Sequence, residues 1–270
     1  MFAANDGTAK SAAYDGQQSI PFVSVVAPAF NEARILEANL TTLAQYMGTL
    51  GVPWEIIVVN DGSSDETGRI ADELASRTPG VRVIHHPHNF GLGRALRTGF
   101  AACSGRYVIS VDIDLTYSTE HIGKLLQAQV QSHADVVLLS PYMNQGSVSS
   151  VPFLRKLFSV TANRCLSLSM GFRLHTATSM VRLYTQDALR ALRLHSDGME
   201  INLELLHQAL VSGAKVKEIP AHLNWGSLDS PADRRSNLTL RRLVRQVFLV
   251  FRYSVLFIQA RRFMAEGVVR

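Results

Sequence analysis

Cysteine is scarce in this chain. Cys103 and Cys165 lie far apart and show neither metal-ligand spacing nor a disulfide framework. Both are expected as plain core thiols, which is simplest in a reducing compartment. Long apolar runs are lacking as well. Met1 to Ser19 holds Asp6, Lys10 and Asp15 among Ala, Ser, Gly and Gln, without the apolar stretch of a secretory signal. Residues 1–20 therefore read as a disordered tail. Internal repeats are absent, and acids all but vanish from the C-terminus. From Arg234 to Arg270 nine arginines meet one acid, Glu266, a net of +8 in a chain whose total is +5, so the remainder is −3. Such asymmetry points to an anionic surface met by the C-terminus alone.

What is present is an ordinary globular composition, 47% hydrophobic and 18% charged over 270 residues, which one α/β domain with a C-terminal extension accommodates. The expected division is a catalytic domain over 21–226 and a linker with a basic amphipathic helix over 227–270. Strand-like Phe22–Ala27, Trp54–Asn60, Val81–His85 and Tyr107–Asp112 alternate with helical patterns near Ala33–Met47, Asp65–Arg77, Gly93–Cys103 and Thr119–Ser132. That βαβ alternation implies a mainly parallel sheet with helices on both faces, whose ligands bind beyond the carboxyl ends of the strands. The second half is more irregular. Helices are expected over Pro152–Leu168, Thr185–Leu192 and Glu200–Ser212, and strands near Ser179–Tyr184 and Val216–Ile219.

Polar residues cluster where a ligand would bind. Asp112-Ile113-Asp114 closes a largely apolar strand, and two carboxylates there suit a hard divalent cation, Mg²⁺ or Mn²⁺, joined to a diphosphate. Such a cation stabilises the charge that grows on a leaving nucleoside diphosphate. In Asn60-Asp61-Gly62-Ser63-Ser64-Asp65-Glu66-Thr67, Ser63 and Glu66 have capping-box spacing, while Asp61 is free to meet a base or ribose. Ala27-Pro28-Ala29-Phe30-Asn31-Glu32 puts an aromatic ring and an acid at the end of the first strand, a wall for a planar base. His85, His86 and His88 match no familiar metal set and are expected as a polar turn. Gly91-Leu92-Gly93 follows the third strand, not the first, and Leu96 stands where a dinucleotide fingerprint needs its last glycine.

These elements, with Asn89-Phe90-Gly91-Leu92-Gly93-Arg94-Ala95-Leu96-Arg97-Thr98-Gly99-Phe100, occur in the order and spacing of the inverting family-2 glycosyltransferases. In particular they resemble the branch similar to dolichyl-phosphate mannosyltransferase, which moves a sugar onto a polyprenyl phosphate. The resemblance implies a GT-A fold. It implies a donor site in which Pro28, Phe30, Glu32, Asp61, Gly91 and Ile113 hold the nucleotide sugar and Asp112 and Asp114 handle metal and diphosphate. Arg155, Ser159 and Asn163 fall on the branch's helical Arg…Ser…Asn pattern, and Thr178-Ser179-Met180-Val181-Arg182-Leu183-Tyr184 follows its Thr-Ser-Gly-Phe-Arg-x-Tyr stretch. Arg182, Arg234 and Arg235 are its acceptor-phosphate candidates. Thr176 stands where the branch has an Asp, and Pro141 and Trp225 stand where it has arginines, which alters the acceptor side. Glu204, one helical turn from Glu200, matches a family Glu that serves as base toward hydroxyl acceptors. That makes a lipid or glycan hydroxyl the alternative acceptor. A binding module that has lost catalysis is the non-enzymatic alternative.

Val247 to Ala260 is interrupted only by Arg252, Ser254 and Gln259, and its 14 residues would extend about 21 Å as a helix, short of the roughly 30 Å hydrocarbon core. Arg241, Arg245, Arg252, Gln259 and Arg262 recur at spacings of 4, 7, 7 and 3, a stripe on one side of an otherwise apolar helix. The expectation is a monotopic helix on the cytoplasmic face of an anionic membrane. Packing on the catalytic core or on a second copy of the chain is the alternative. Nucleic acid is not expected, since the aromatics lie in an apolar stripe instead of alternating with arginines as stacking platforms.

Overall fold

The computed structural model describes residues 22–149, 151, 153–171, 173–224 and 240–265. Strands β1 (Val23–Ala29), β2 (Trp54–Asn60), β3 (Val81–His85) and β4 (Tyr107–Ser110) alternate with helices α1 (Ala33–Thr49), α2 (Thr67–Arg77), α3 (Leu92–Ala102) and α4 (Glu120–Ser132). There follow β5 (Val136–Ser140), β6 (Ser147–Ser149), α5 (Phe153–Ser169), β7 (Arg182–Thr185), α6 (Gln186–Ala191), α7 (Ile201–Val211), β8 (Val216–Pro220), β9 (His222–Asn224) and α8 (Leu240–Ala265). The main sheet runs β3-β2-β1-β4-β7-β5-β8, with β7 alone antiparallel to its neighbours. A parallel pair, β6 and β9, stands apart.

Burial follows from the two-residue period of the strands. Val23, Val25 and Ala27 of β1 pack with Leu36, Leu40 and Leu43 of α1 and Ile122 of α4. Val26 of β1 and Ile57 and Val59 of β2 meet Ala95, Leu96 and Phe100 of α3 and Ile201 and Leu205 of α7 on the other face. Because β1, β2 and β4 are parallel neighbours, their carboxyl ends emerge side by side; Ala29 is opposite Asn60, and the Val111 amide bonds the Val26 carbonyl. The sequence patterns place most of these elements correctly but give no strand at Val136–Ser140, where four buried apolar residues and a buried serine carry no period. Cys103 is buried, and its thiol is pushed up to about 12 by that burial. Cys165 instead lies exposed on α5, so the expectation of two core thiols is corrected.

The C-terminal helix has two apolar faces. Tyr253, Phe257 and Ala260 are buried, and the first two pack with Leu166 of α5, Met170 just after it, and Leu203 and Leu206 of α7. Val244, Val247, Phe248, Phe251, Val255 and Ile258 point away from the core, Phe251 being 68% exposed. Core packing and an exposed apolar stripe thus coexist on one helix. Among the described residues no helix is long and apolar enough to cross a membrane. Phe257→Ala should cost about 3 kcal/mol, as large-to-small core changes do. Hydrogen exchange should accelerate along Leu240–Ala265 before the sheet; unchanged exchange there would mean that α8 is not held by this contact.

Candidate active site

The first two loops at the sheet edge hold each other. Asn31 sits at φ +57°, a left-handed conformation that Asn tolerates better than most residues. Its amide donates to Ser63 Oγ at 3.0 Å, the Glu32 amide donates to Thr67 Oγ1 at 2.8 Å, and the Ala33 amide donates to Asp65 Oδ2 at 3.2 Å. In return the Ser64 amide donates to Asn31 Oδ1 at 2.9 Å. The orphan amides at the start of α1 are therefore capped from the β2–α2 loop. The capping box expected of Ser63 and Glu66 does not form. Asp65 accepts from the Thr67 amide, Ser63 is taken by Asn31, and Glu66 pairs with Arg69.

Three carboxylates face one another at this edge. Burial, then the negative charges of Asp114 and Asp65, raises Glu32 to about 7. Burial, then Asp114 and Glu32, raises Asp112 in the same way. Asp114 is fixed by the Thr116 amide, which donates to Oδ1 at 2.9 Å, across a turn in which Leu115 takes φ +49°. Among the described residues no three His, Cys, Asp or Glu converge tightly enough to hold an ion unaided. The donor set still fits Mg²⁺ or Mn²⁺, which take one or two carboxylates and complete their shell with phosphate oxygens and water. Ile113 does not join the site through its side chain, which is buried in the core, and its carbonyl accepts from Asn39 Nδ2 at 2.9 Å. Any nucleotide contact there would be made by backbone.

Half-buried Pro28 in β1 and Phe30 just after it, 44% exposed, give the end of that strand an apolar rim. Asp61 is only 3% exposed. Its Oδ1 accepts from His86 Nδ1 at 2.6 Å and the Phe90 amide at 3.1 Å, and its Oδ2 accepts from the Gly91 amide at 2.8 Å. A carboxylate offers about four lone-pair sites, so about one is left to meet a nucleoside. Gly91 stands at φ +99°, and a Cβ there would lie 2.5 Å from the Asp197 carbonyl oxygen, so only glycine fits. That carbonyl accepts from the Gly93 and Arg94 amides at the start of α3. These two helix-terminal amides, usual phosphate binders, are thus already engaged.

The acceptor side needs correction. Arg182 is fully buried, and its guanidinium donates to the carbonyls of Ser179, Asn202 and Ala177 at 2.7–2.8 Å. It holds the α7 start to the loop before β7 and offers no surface to a phosphate. Glu204 accepts from the amides of His195 and Ser196 at 3.0 and 2.8 Å, one on each carboxylate oxygen, and from Gln208 Nε2. Two backbone amides engage the carboxylate that a base would need free. Asn163 bonds Thr178 and the Ala177 amide, and Ser159 accepts from the Tyr142 hydroxyl. Thr176 is buried on Ser140 and Glu218. Arg234, Arg235 and Trp225, like the 1–20 tail, lie outside the described residues, as does the Arg155 side chain.

The carboxylate cluster sets a pH dependence. Glu32 and Asp112 bind protons more tightly folded than unfolded, so their contribution favours the fold at low pH and is lost as pH rises from about 4 through about 7. A divalent cation needs them ionised. Mn²⁺ should therefore raise the melting temperature more at about pH 8 than at about pH 5.5. Equal shifts at both would sink the assignment.

Residues 24–192 match the family described as Glycosyl transferase family 2. Polyprenol monophosphomannose synthase of Mycolicibacterium smegmatis is 30% identical over 253 residues, covering 91% of each chain. Dolichol-phosphate mannosyltransferase of Pyrococcus furiosus is 32% identical over 200 residues, 73% of this chain and 55% of that one. Among solved structures, glucosyl-3-phosphoglycerate synthase from Mycobacterium tuberculosis, in complex with Mn²⁺, UDP-glucose and phosphoglyceric acid, superposes with a TM-score of 0.64. Its identity is 19% over 88% of this chain and 80% of that one, a likeness that shows the shared GT-A fold. With the donor-site motifs on the matched strands, the chain belongs to glycosyl transferase family 2 and is a glycosyltransferase.

Proposed function

We propose that the protein transfers a sugar, with inversion, from a nucleoside-diphosphate sugar to a polyprenyl phosphate at a membrane surface. The carrying observation is the facing set Glu32, Asp112 and Asp114 at the carboxyl edge of β1 and β4, with the Pro28–Phe30 rim beside it. Similarity along 91% of a polyprenol monophosphomannose synthase supports the acceptor class. Asp112 and Asp114 would hold Mg²⁺ or Mn²⁺, which supplies charge stabilisation to the departing diphosphate. A lipid phosphate oxygen attacks the anomeric carbon from the face opposite that leaving group. One C–O bond forms as the other breaks, so the configuration inverts. The nucleophile is already ionised, its second pKa being about 6, and no base is required.

The engagement of Glu204 favours this reading over a hydroxyl acceptor, which would need a free base. Membrane attachment is read from α8. Its outward Val247, Phe248, Phe251 and Ile258 would enter the acyl boundary while Arg252 and Arg262 meet anionic headgroups, each cation contributing about 1 kcal/mol. The surface so bound would be the cytoplasmic leaflet, where anionic lipid is concentrated.

Transfer from a panel of UDP- and GDP-sugars to a short polyprenyl phosphate tests the proposal. Asp114→Asn should lower turnover about 10- to 100-fold or more with little change in melting temperature. Excess chelator should stop it. Glu204→Gln should keep most activity at a temperature where it is folded, instead of the about 10²–10⁴-fold loss that removal of a general base causes. A loss of that size in folded protein would restore the hydroxyl-acceptor reading. Phe251→Asp should weaken binding to both anionic and neutral vesicles, and Arg252→Glu to anionic ones alone. Undiminished binding by both variants would remove α8 from the interface.

A further inference from the structure

The paired histidines of the β3 end clamp the paired polar residues of the β2 end. Asn60 and His85 are opposite in register, and the ladder continues with the His86 amide donating to the Asn60 carbonyl at 2.9 Å. Consecutive strand residues project to opposite faces, so the two imidazoles part. His85 turns toward α2, bonding Asn60 Nδ2 at 3.0 Å and Asp72 at 2.9 Å. His86 turns toward α3, joining Asp61 Oδ1 at 2.6 Å to Thr98 Oγ1 at 2.9 Å. The His86 and Asp61 side chains are 9% and 4% exposed.

We infer that His86 is a positioning residue for the donor site, holding the Asp61 carboxylate at one rotation so that its remaining lone pair meets an N–H or O–H of the donor nucleoside. The inference rests on the donor-site reading above and adds a residue to it. A carboxylate turns readily about its last bond. Here the Phe90 and Gly91 amides hold Asp61 from one direction, and both belong to the loop it shapes. His86 is the first residue of that loop, held to β2 by its amide on the Asn60 carbonyl and braced by Thr98 in the middle of α3. At 2.6 Å its bond to the buried carboxylate is also the shortest of the three. His86 thus decides where Oδ1 sits, and the loop amides follow.

The test is calorimetric binding of UDP and GDP, each with Mn²⁺, to the full chain, beside thermal melts and donor kinetics. In His86→Ala the Kd for the preferred nucleotide should rise about 10- to 100-fold, as when a partner that orients a ligand is removed. The donor KM should rise with it, while kcat at saturating donor falls far less. His86→Asn, whose amide N–H stands near the place of Nδ1–H, should recover much of the affinity. Thr98→Val keeps the volume but loses the brace, and should give a smaller rise of the same kind. It carries the test if His86→Ala does not fold. A variant series that melts earlier yet binds nucleotide as tightly as wild type would make His86 merely structural and overturn the inference. Wild-type protein that binds neither nucleotide would instead overturn the donor-site reading on which the inference stands.

Discussion

Like charges brought together at a sheet edge need either a proton or a cation, and around Glu32, Asp112 and Asp114 the described residues supply no partner cation. None of the three forms an ion pair with Lys, Arg or His among the described residues, whereas Glu55, at the far edge of the same sheet, has Arg82 and two serines and sits below the usual carboxylate range. The same residue type thus takes opposite environments at the two ends of the strands. At the amino end carboxylate charge is neutralised to tie Ser24, Ser104 and Arg82 together. At the carboxyl end it is left unbalanced, which costs stability and creates a demand for a bound cation. That cost explains why the surrounding backbone is so fully bonded. The α1 start is capped by the β2–α2 loop and the Asp114 turn by its own carboxylate, so the acids cannot relax apart.

The donor half was readable from the sequence because parallel strands leave a simple signature: apolar runs that stop at polar residues. Asn31, Asp61 and Asp112 each end such a run, and the topology brings those ends together without further information. Partners were harder to read. The spacing of Ser63 and Glu66 fits a local capping box, yet Ser63 and Asp65 reach 32 residues back to cap α1, a long-range bond that outcompetes the local one. The His85-His86 pair looked like a polar turn because its hydrogen-bond partners lie across the ladder, on Asn60 and Asp61, and adjacency between strands is not written in either one.

The second half was less legible for a related reason. Arg182 and Glu204 are charged residues at family positions, and charge suggests ligand. Both are consumed by backbone: Arg182 by three carbonyls, Glu204 by two amides of the segment Arg193–Asp197. An irregular segment packed against a helix has orphan polar groups to satisfy, and a long charged side chain satisfies them in number. Residue type alone does not separate that use from catalysis. Burial does, since a fully buried guanidinium has no face left for substrate.

The consumed carboxylate of Glu204 also lies on a chain of contacts that joins α8 to the loop before α3. Arg245 of α8 reaches the Glu200 carboxylate at 3.1 Å, at the start of α7. One turn on, Glu204 holds His195 and Ser196, and the next residue, Asp197, gives its carbonyl to the first amides of α3 and lies against Gly91. Arg97 closes the circuit from α3 by donating to Asp197 and to the Leu194 carbonyl. Each link is a hydrogen bond or a neighbour along the chain. With the lipid acceptor proposed above, such a path would have a mechanical use. It would set the height of a water-borne donor above the plane in which that acceptor is confined, so that the reacting atoms meet by geometry before any chemistry is required of the protein.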